Sequence, residues 1–362
     1  MAGHFTRMGI YCRWMIGAVT LIFLLGSCKH EKTVVTPART YRMGFENFAP
    51  SYNTYQQSLN LWTQRADAAI ISIQVPWDTL YSGTTPEKYI TNNFAGLASY
   101  YRSKNFKLWV YIDPANGLDR SADANDLVAL GKSISQLDVQ TLYGRFVFVM
   151  DSLLKPEHLG LALETNAIRG TSSSAIYRGI KAATNSTAAL VRAYDKNVKL
   201  SVSIQADYAW GLLNSGPFIG IEQDFTDFPF IQELGISSYP FFVFNNPQDI
   251  PSDYYSKLIQ GHSIPVFISE GGWSTVTVST YTENTQKQAD YITKQGQLLD
   301  GVNAIGYFQL TFTDFSTAGL PAGTNSDINL FNHLGLVDTN LVAKPALKNW
   351  DILFSRPLAP GH

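Results

Sequence analysis

The chain has 362 residues, 45% of them hydrophobic and 13% aromatic, which is enough for one large core or two ordinary domains. Its 27 basic and 29 acidic residues leave a formal charge of −2. That balance excludes the strongly basic face that nucleic acid or an acidic membrane surface demands, and it points to a neutral partner.

The first element is an apolar run, Met15 to Leu25, preceded by Arg7 and Arg13 and ending Leu25-Gly26-Ser27-Cys28. The run is too short and too early for a spanning helix of the mature protein, and it resembles a bacterial lipoprotein signal with its lipobox. An ordinary N-terminal anchor helix is the alternative. The resemblance implies that residues 1–28 are signal peptide and lipidated cysteine. Cys12 leaves with the signal and Cys28 carries the lipid, so the mature chain keeps no free thiol. Lys29 after the cysteine does not resemble an inner-membrane retention signal, which favours the outer membrane, with membrane contact through the lipid alone. Residues 29–40 are polar, contain Pro37 and lack periodicity, as a tether does.

From Tyr41 to about residue 358 the chain alternates short apolar or aromatic runs with helical segments. The runs are Tyr41–Phe48, Ala68–Trp77, Phe106–Asp113, His158–Glu164, Val198–Gln205, Leu234–Tyr239, Pro265–Glu270 and Ala304–Phe312. Between them, Pro86–Lys104 opens on Pro-Glu and closes on Lys, and Glu283–Asp300 has helical composition. Near-continuous apolar strands imply burial on both faces and hence a parallel sheet. Eight such units without a compositional break predict a single (β/α)8 TIM barrel, with an open doubly wound sheet as the alternative. The stretch from Ala115 to Glu157 exceeds one loop and one helix, and predicts an extra helix beside the mouth.

In such a barrel the chemistry sits at the C-terminal strand ends. The polar or aromatic residues there are Glu46 and Asn47, Trp77 and Asp78, Tyr111 and Asp113, Glu164 and Asn166, Gln205 and Asp207, Tyr239, Glu270 and Trp273, and Gln309. None of the six histidines pairs with another at metal-ligand spacing, and no nucleophile elbow, dinucleotide turn or phosphate loop occurs. No cofactor or metal is expected. What remains are carboxylates ending two apolar strands, Glu164 in Leu-Ala-Leu-Glu-Thr-Asn and Glu270 in Phe-Ile-Ser-Glu-Gly-Gly-Trp. A glutamate beyond a buried strand is costly unless something uses or satisfies it, and glycosidic cleavage uses two. Solvated rim residues or structural ion pairs are the competing reading.

These residues resemble clan A retaining glycoside hydrolases, the 4/7 superfamily, nearest the endo-galactanase and endoglucanase type. Glu164 ends the fourth run, Tyr239 in Ser-Ser-Tyr-Pro the sixth, and Glu270 in Ser-Glu-Gly-Gly-Trp the seventh; Gly335-Leu336-Val337-Asp338 and Lys344-Pro345-Ala346 match the clan's closing segment. The resemblance implies double displacement on a β-linked polysaccharide or oligosaccharide, with Glu164 as acid then base, Glu270 as nucleophile, and Tyr239 orienting Glu270. It also implies a Glu164 pKa raised by its neighbour's charge. Leu163 stands where the clan carries a sugar-contacting Asn; either Asn166 substitutes or the contact is absent. A glycan-binding lipoprotein without catalysis is the alternative function. Trp77, Trp210 and Trp273 fall near strand ends, where they either stack on sugar rings or pack the core. Asp113, Asn116 and Gln205 either bond hydroxyls or cap strand ends. A monomer is expected.

Overall fold

The computed structural model describes residues 37–46, 54–277, 280–317 and 326–361. The signal segment, Cys28, most of the tether and Asn47 lie outside the described residues.

Eight parallel strands form the sheet: β1 Arg42–Phe45, β2 Ala68–Gln74, β3 Lys107–Asp113, β4 His158–Gly160, β5 Lys199–Gln205, β6 Glu233–Ser238, β7 Val266–Gly271 and β8 Ala304–Gln309. Their order runs β1-β8-β7-β6-β5-β4-β3-β2, and a parallel bridge between Glu46 and Ile70 joins β1 to β2. The (β/α)8 barrel expected from the alternating runs is the fold. Each strand segregates its side chains: Leu108, Val110, Ile236 and Ile268 face the outer helices, while Ile70, Trp109, Tyr111, Phe267 and Phe308 fill the interior. The Tyr111 ring sets a backbone requirement. A Cβ on Gly160 would lie 2.3 Å from it, so β4 needs glycine there.

The segment Pro86–Lys104 folds as helix Pro86–Ile90, a π-turn Thr91–Ala95 and helix Gly96–Ser103, opened by the Thr85 cap and Pro86. The long β3–β4 connection contains a short helix, Asn125–Ala129, ahead of Leu137–Leu154. Helix Thr285–Asp300 matches the other expected segment, with Asn284 accepting from the Gln286 and Lys287 amides.

The tether boundary differs from expectation. Residues 37–40 dock on the barrel: Arg39 is buried, pairs with Asp67 at 2.7 Å, and its amide donates to Pro357 O at 2.9 Å. Arg356 holds the same stretch by donating to Pro37 O and Ala38 O. The sequence signal missed this because polarity and a proline look alike in a tether and in a docked segment whose charges are paired.

Candidate active site

A pocket of about 470 Å³ opens at the C-terminal end of the barrel, with Glu164, Gln205, Tyr239, Glu270 and Arg120 among its lining. Two local devices aim the glutamates into it.

On β4 the ladder ends at Gly160, and Glu164 adopts left-handed backbone angles (φ 50, ψ 46) at the N-terminus of helix Thr165–Thr171. That conformation costs a non-glycine residue about 1–3 kcal/mol and persists only when its surroundings over-determine it. Here the Glu164 amide donates to Ser203 Oγ at 2.9 Å, and the following Thr165 hydroxyl donates to Asp224 at 2.8 Å. Asn166 locks the turn to β5, its amide donating to Gln205 O at 3.0 Å and its oxygen accepting from Gln205 N at 2.8 Å.

On β7 the device is a bulge. Phe267 faces inward and Ile268 outward, so strict alternation would send Glu270 outward as well. The register with β6 slips instead: Ile236 pairs with Ile268, but Ser237 pairs with Glu270. The extra residue, Ser269, turns Glu270 into the mouth beside inward-facing Ser237.

The two carboxyls meet through shared partners. Ser237 Oγ donates to Glu164 Oε1 at 2.5 Å, and the same hydroxyl acts on Glu270. Tyr239 donates to Glu270 Oε2 at 3.3 Å. Arg120 donates through Nε to Glu164 Oε2 at 2.7 Å and through a terminal nitrogen to Asp113 at 2.6 Å and Asn116 O at 3.2 Å. Its side chain is only 10% exposed, so this ion pair is shielded from solvent. Arg120 lies in the β3–β4 loop that Asn116 shapes by accepting from the Leu118 and Asp119 amides.

Burial pushes the Glu270 carboxyl up to about 8, aided by the Glu164 and Asp113 charges and opposed by Arg120 and the Ser237 hydrogen bond. Glu46, just past β1, is buried and accepts from Ser72 at 2.8 Å; burial and then the Glu270 charge push it well above the carboxylate range. Burial and the Glu270, Glu46 and Glu164 charges raise Tyr239 as well, which keeps it a phenol donor. Burial works against the Arg120 charge, but Asp113, Glu164 and Glu270 outweigh it and raise the guanidinium above its ordinary value. Glu270 therefore carries an upward shift, and Glu164 is paired with Arg120.

The structure brings together Glu164, Glu270, Tyr239 and Gln205, and leaves other expected residues away from the pocket lining. Trp273 is fully buried between Phe241 and Tyr291 and donates to Glu283, so it offers no stacking face. Trp77 is fully buried, and Trp210 stacks on Tyr254 with its indole N–H on Tyr254 O at 2.9 Å. Asp113 anchors Arg120, and Asn166 is fully buried in the β4–β5 lock, so it does not substitute for the missing Asn. Leu163 belongs to the barrel interior with Phe267 and Phe308. The Gln205 amide is used by Asp207 and its oxygen by the Tyr208 amide. Sequence reasoning missed Arg120 and Ser237: one sits in a loop without motif, the other in a serine pair that only strand parity distinguishes. No group of three or more His, Cys, Asp or Glu suited to a metal ion occurs among the described residues.

No family profile matches the sequence, and no curated protein matches it. Solved structures do match. The chain is similar to an exo-β-1,4-mannosidase from Opitutaceae bacterium strain TAV5 (TM-score 0.64, 14% identity), over 88% of this chain and 59% of that one. It is similar to the Ignisphaera aggregans GH53 catalytic domain (TM-score 0.62, 14% identity), over 88% and 99%, and to a Thermotoga maritima β-glucosidase (TM-score 0.60, 11% identity), over 85% and 87%. The chain therefore spans less than two thirds of the mannosidase's length. At these identities the likeness establishes one thing, that the chain has a glycosidase-like (β/α)8 barrel.

Proposed function

We propose that this chain is a retaining glycoside hydrolase acting on β-linked sugars, with Glu270 as nucleophile and Glu164 as acid, then base. The observation that carries the reading is the pair of carboxyls from the turn after β4 and from β7, aimed into one pocket by a strained turn and a bulge, with Ser237 donating to Glu164 and lying opposite Glu270 across the strands. Carboxyls flanking one bond are what double displacement requires.

The resting site holds its proton on the wrong member for attack: Glu270 is protonated at neutral pH, and Glu164 is ion-paired. Ser237 supplies the correction. Its hydroxyl passes its proton to Glu164 and takes the one from Glu270, leaving Glu270 anionic and Glu164 an acid. Glu270 then attacks the anomeric carbon as Glu164 protonates the departing oxygen. In the second half, water protonates Glu164 as its oxygen displaces Glu270. Hydrolysis of 4-nitrophenyl β-glucosides, β-galactosides and β-mannosides, followed by NMR for anomeric configuration, tests this. Retention is expected, and inverted product or no turnover by wild type would overturn it.

A second reading has its own support. The shielded Arg120–Glu164 ion pair, together with Leu163 in place of the sugar-contacting Asn, favours a glycan-binding barrel without catalysis. Sugar binding that is unchanged in Glu270→Gln, with no turnover in either form, would favour it. We propose further that Cys28 is lipidated and the chain exported to the outer membrane, on the strength of the lipobox alone. Labelled palmitate should enter the wild type and not Cys28→Ala.

A further inference from the structure

The pocket's chemistry changes with depth. Its floor carries Glu164, Glu270, Arg120 and the Tyr239 hydroxyl, which are bonded largely to one another. Its wall is mainly hydrocarbon. Leu118 comes from the loop after β3, Leu213 from that after β5, Leu310 from that after β8, and Ile328 and Leu330 from the turn Ser326–Leu330. Loops at a barrel mouth ordinarily expose polar groups, so apolar side chains from separate loops converging on one space mark a ligand surface. Tyr239, Phe242 and Phe331 complete the wall as a cluster of rings, with centroids 5.1 Å apart for Tyr239–Phe331 and 5.9 Å for Tyr239–Phe242.

The wall has little to offer a hydroxyl. Thr171 donates back to Ala167 O in its own helix, the Gln205 amide is engaged by Asp207 and by the Tyr208 amide, and the other polar groups of the lining are the Asn214 amide and the Tyr208 hydroxyl. A chain of sugars along this wall would bury more hydroxyls than Asn214 and Tyr208 can pair. A hydrocarbon group would instead replace water there at no such cost.

We infer that the substrate is a glycoside with an apolar alkyl or aryl aglycone, its single sugar at the carboxylates and its aglycone against the Leu118, Leu213, Leu310, Ile328 and Leu330 wall. The inference rests on reading the floor as a sugar-cleaving site, and it narrows the expected polysaccharide to a small amphipathic glycoside.

The test is calorimetric binding of methyl, butyl, hexyl and octyl β-D-glucosides, β-D-galactosides and β-D-mannosides to the purified chain below micellar concentration, with cellotetraose, galactotetraose and mannotetraose for comparison. Affinity for one sugar series should rise roughly three- to fourfold per added methylene. Leu213→Asp, at a rim position 43% exposed and so tolerant of change, and Ile328→Asp should each cut octyl glycoside affinity more than about tenfold while leaving methyl glycoside binding near wild type. A flat series, or tetrasaccharides binding more tightly than the octyl glycosides, overturns the inference even if the enzyme is active. A rising series without hydrolysis leaves it standing and removes the hydrolase reading instead.

Discussion

The two ends of the barrel treat buried charge differently. At the N-terminal end, Glu233 opens β6 inside the barrel and meets His158 Nδ1 at 2.8 Å. The imidazole lies flat on Trp109, 3.6 Å between centroids and 3° between planes. One acid has one partner, and the rings around them are packed. At the mouth, Asp113, Glu164 and Glu270 gather near one guanidinium, Arg120, which pairs directly with only two of them, and Glu46 adds its charge beside Glu270. Burial raises the carboxyl pKa at both ends, in Glu233 against its His158 hydrogen bond and in Glu270 with help from neighbouring charges. The lesson is that burial alone does not mark a site. Excess like charge held in place by strain and a bulge does, and it lies at the end where barrels of this type carry their loops.

The sharpest way to break this comparison is at Glu164. Glu164→Gln should lower kcat about 10²–10⁴-fold on glycosides with poor leaving groups, and far less on 2,4-dinitrophenyl glycosides, whose departing oxygen needs no proton. Equal losses on both would deny it the role of acid. Next in size is Arg120→Met, which leaves two buried carboxyls unpaired and should cost about 3–5 kcal/mol in urea denaturation.

A third prediction follows from pH. The folded Glu270 binds its proton up to about 8, whereas an unfolded glutamate releases it near 4.3. Its contribution to stability is therefore complete below the unfolded value and is lost as pH rises towards 8, at up to about 1.4 kcal/mol per pH unit. Glu270→Gln should flatten the decline in Tm between pH 5 and pH 8, and an unaltered slope would place the titration elsewhere. The smallest effect belongs to the other end. His158→Ala strands the Glu233 carboxyl and should cost about 1–3 kcal/mol while leaving kcat unchanged. A large fall in kcat there would mean that the two ends are coupled.

Much of the barrel was legible because its strands are buried on both faces, so their apolar runs stand out against polar connections. The extra helix in the β3–β4 connection was legible as surplus length. The glutamates were legible as polar residues where such runs stop. The tryptophans were not: a large ring near a strand end looks the same whether it turns to the pocket or, as Trp77 and Trp273 do, into the core. Arg120 was hidden because a loop arginine acquires meaning only from the acids it meets, and those come from strands 7 and 44 residues away along the chain.

By itself, then, the sequence determined the eightfold alternation and the apolar runs that stop at Glu164 and Glu270, since both depend on local hydrophobic pattern. Tertiary structure alone decided which way those ends face and how they are charged. Alternation along β7 would have turned Glu270 outward; the slip at Ser237, a property of two strands in register, turns it in. Glu270 likewise keeps its proton because it is buried beside the Glu164 and Asp113 charges, an outcome set by elements meeting in space rather than by any one of them.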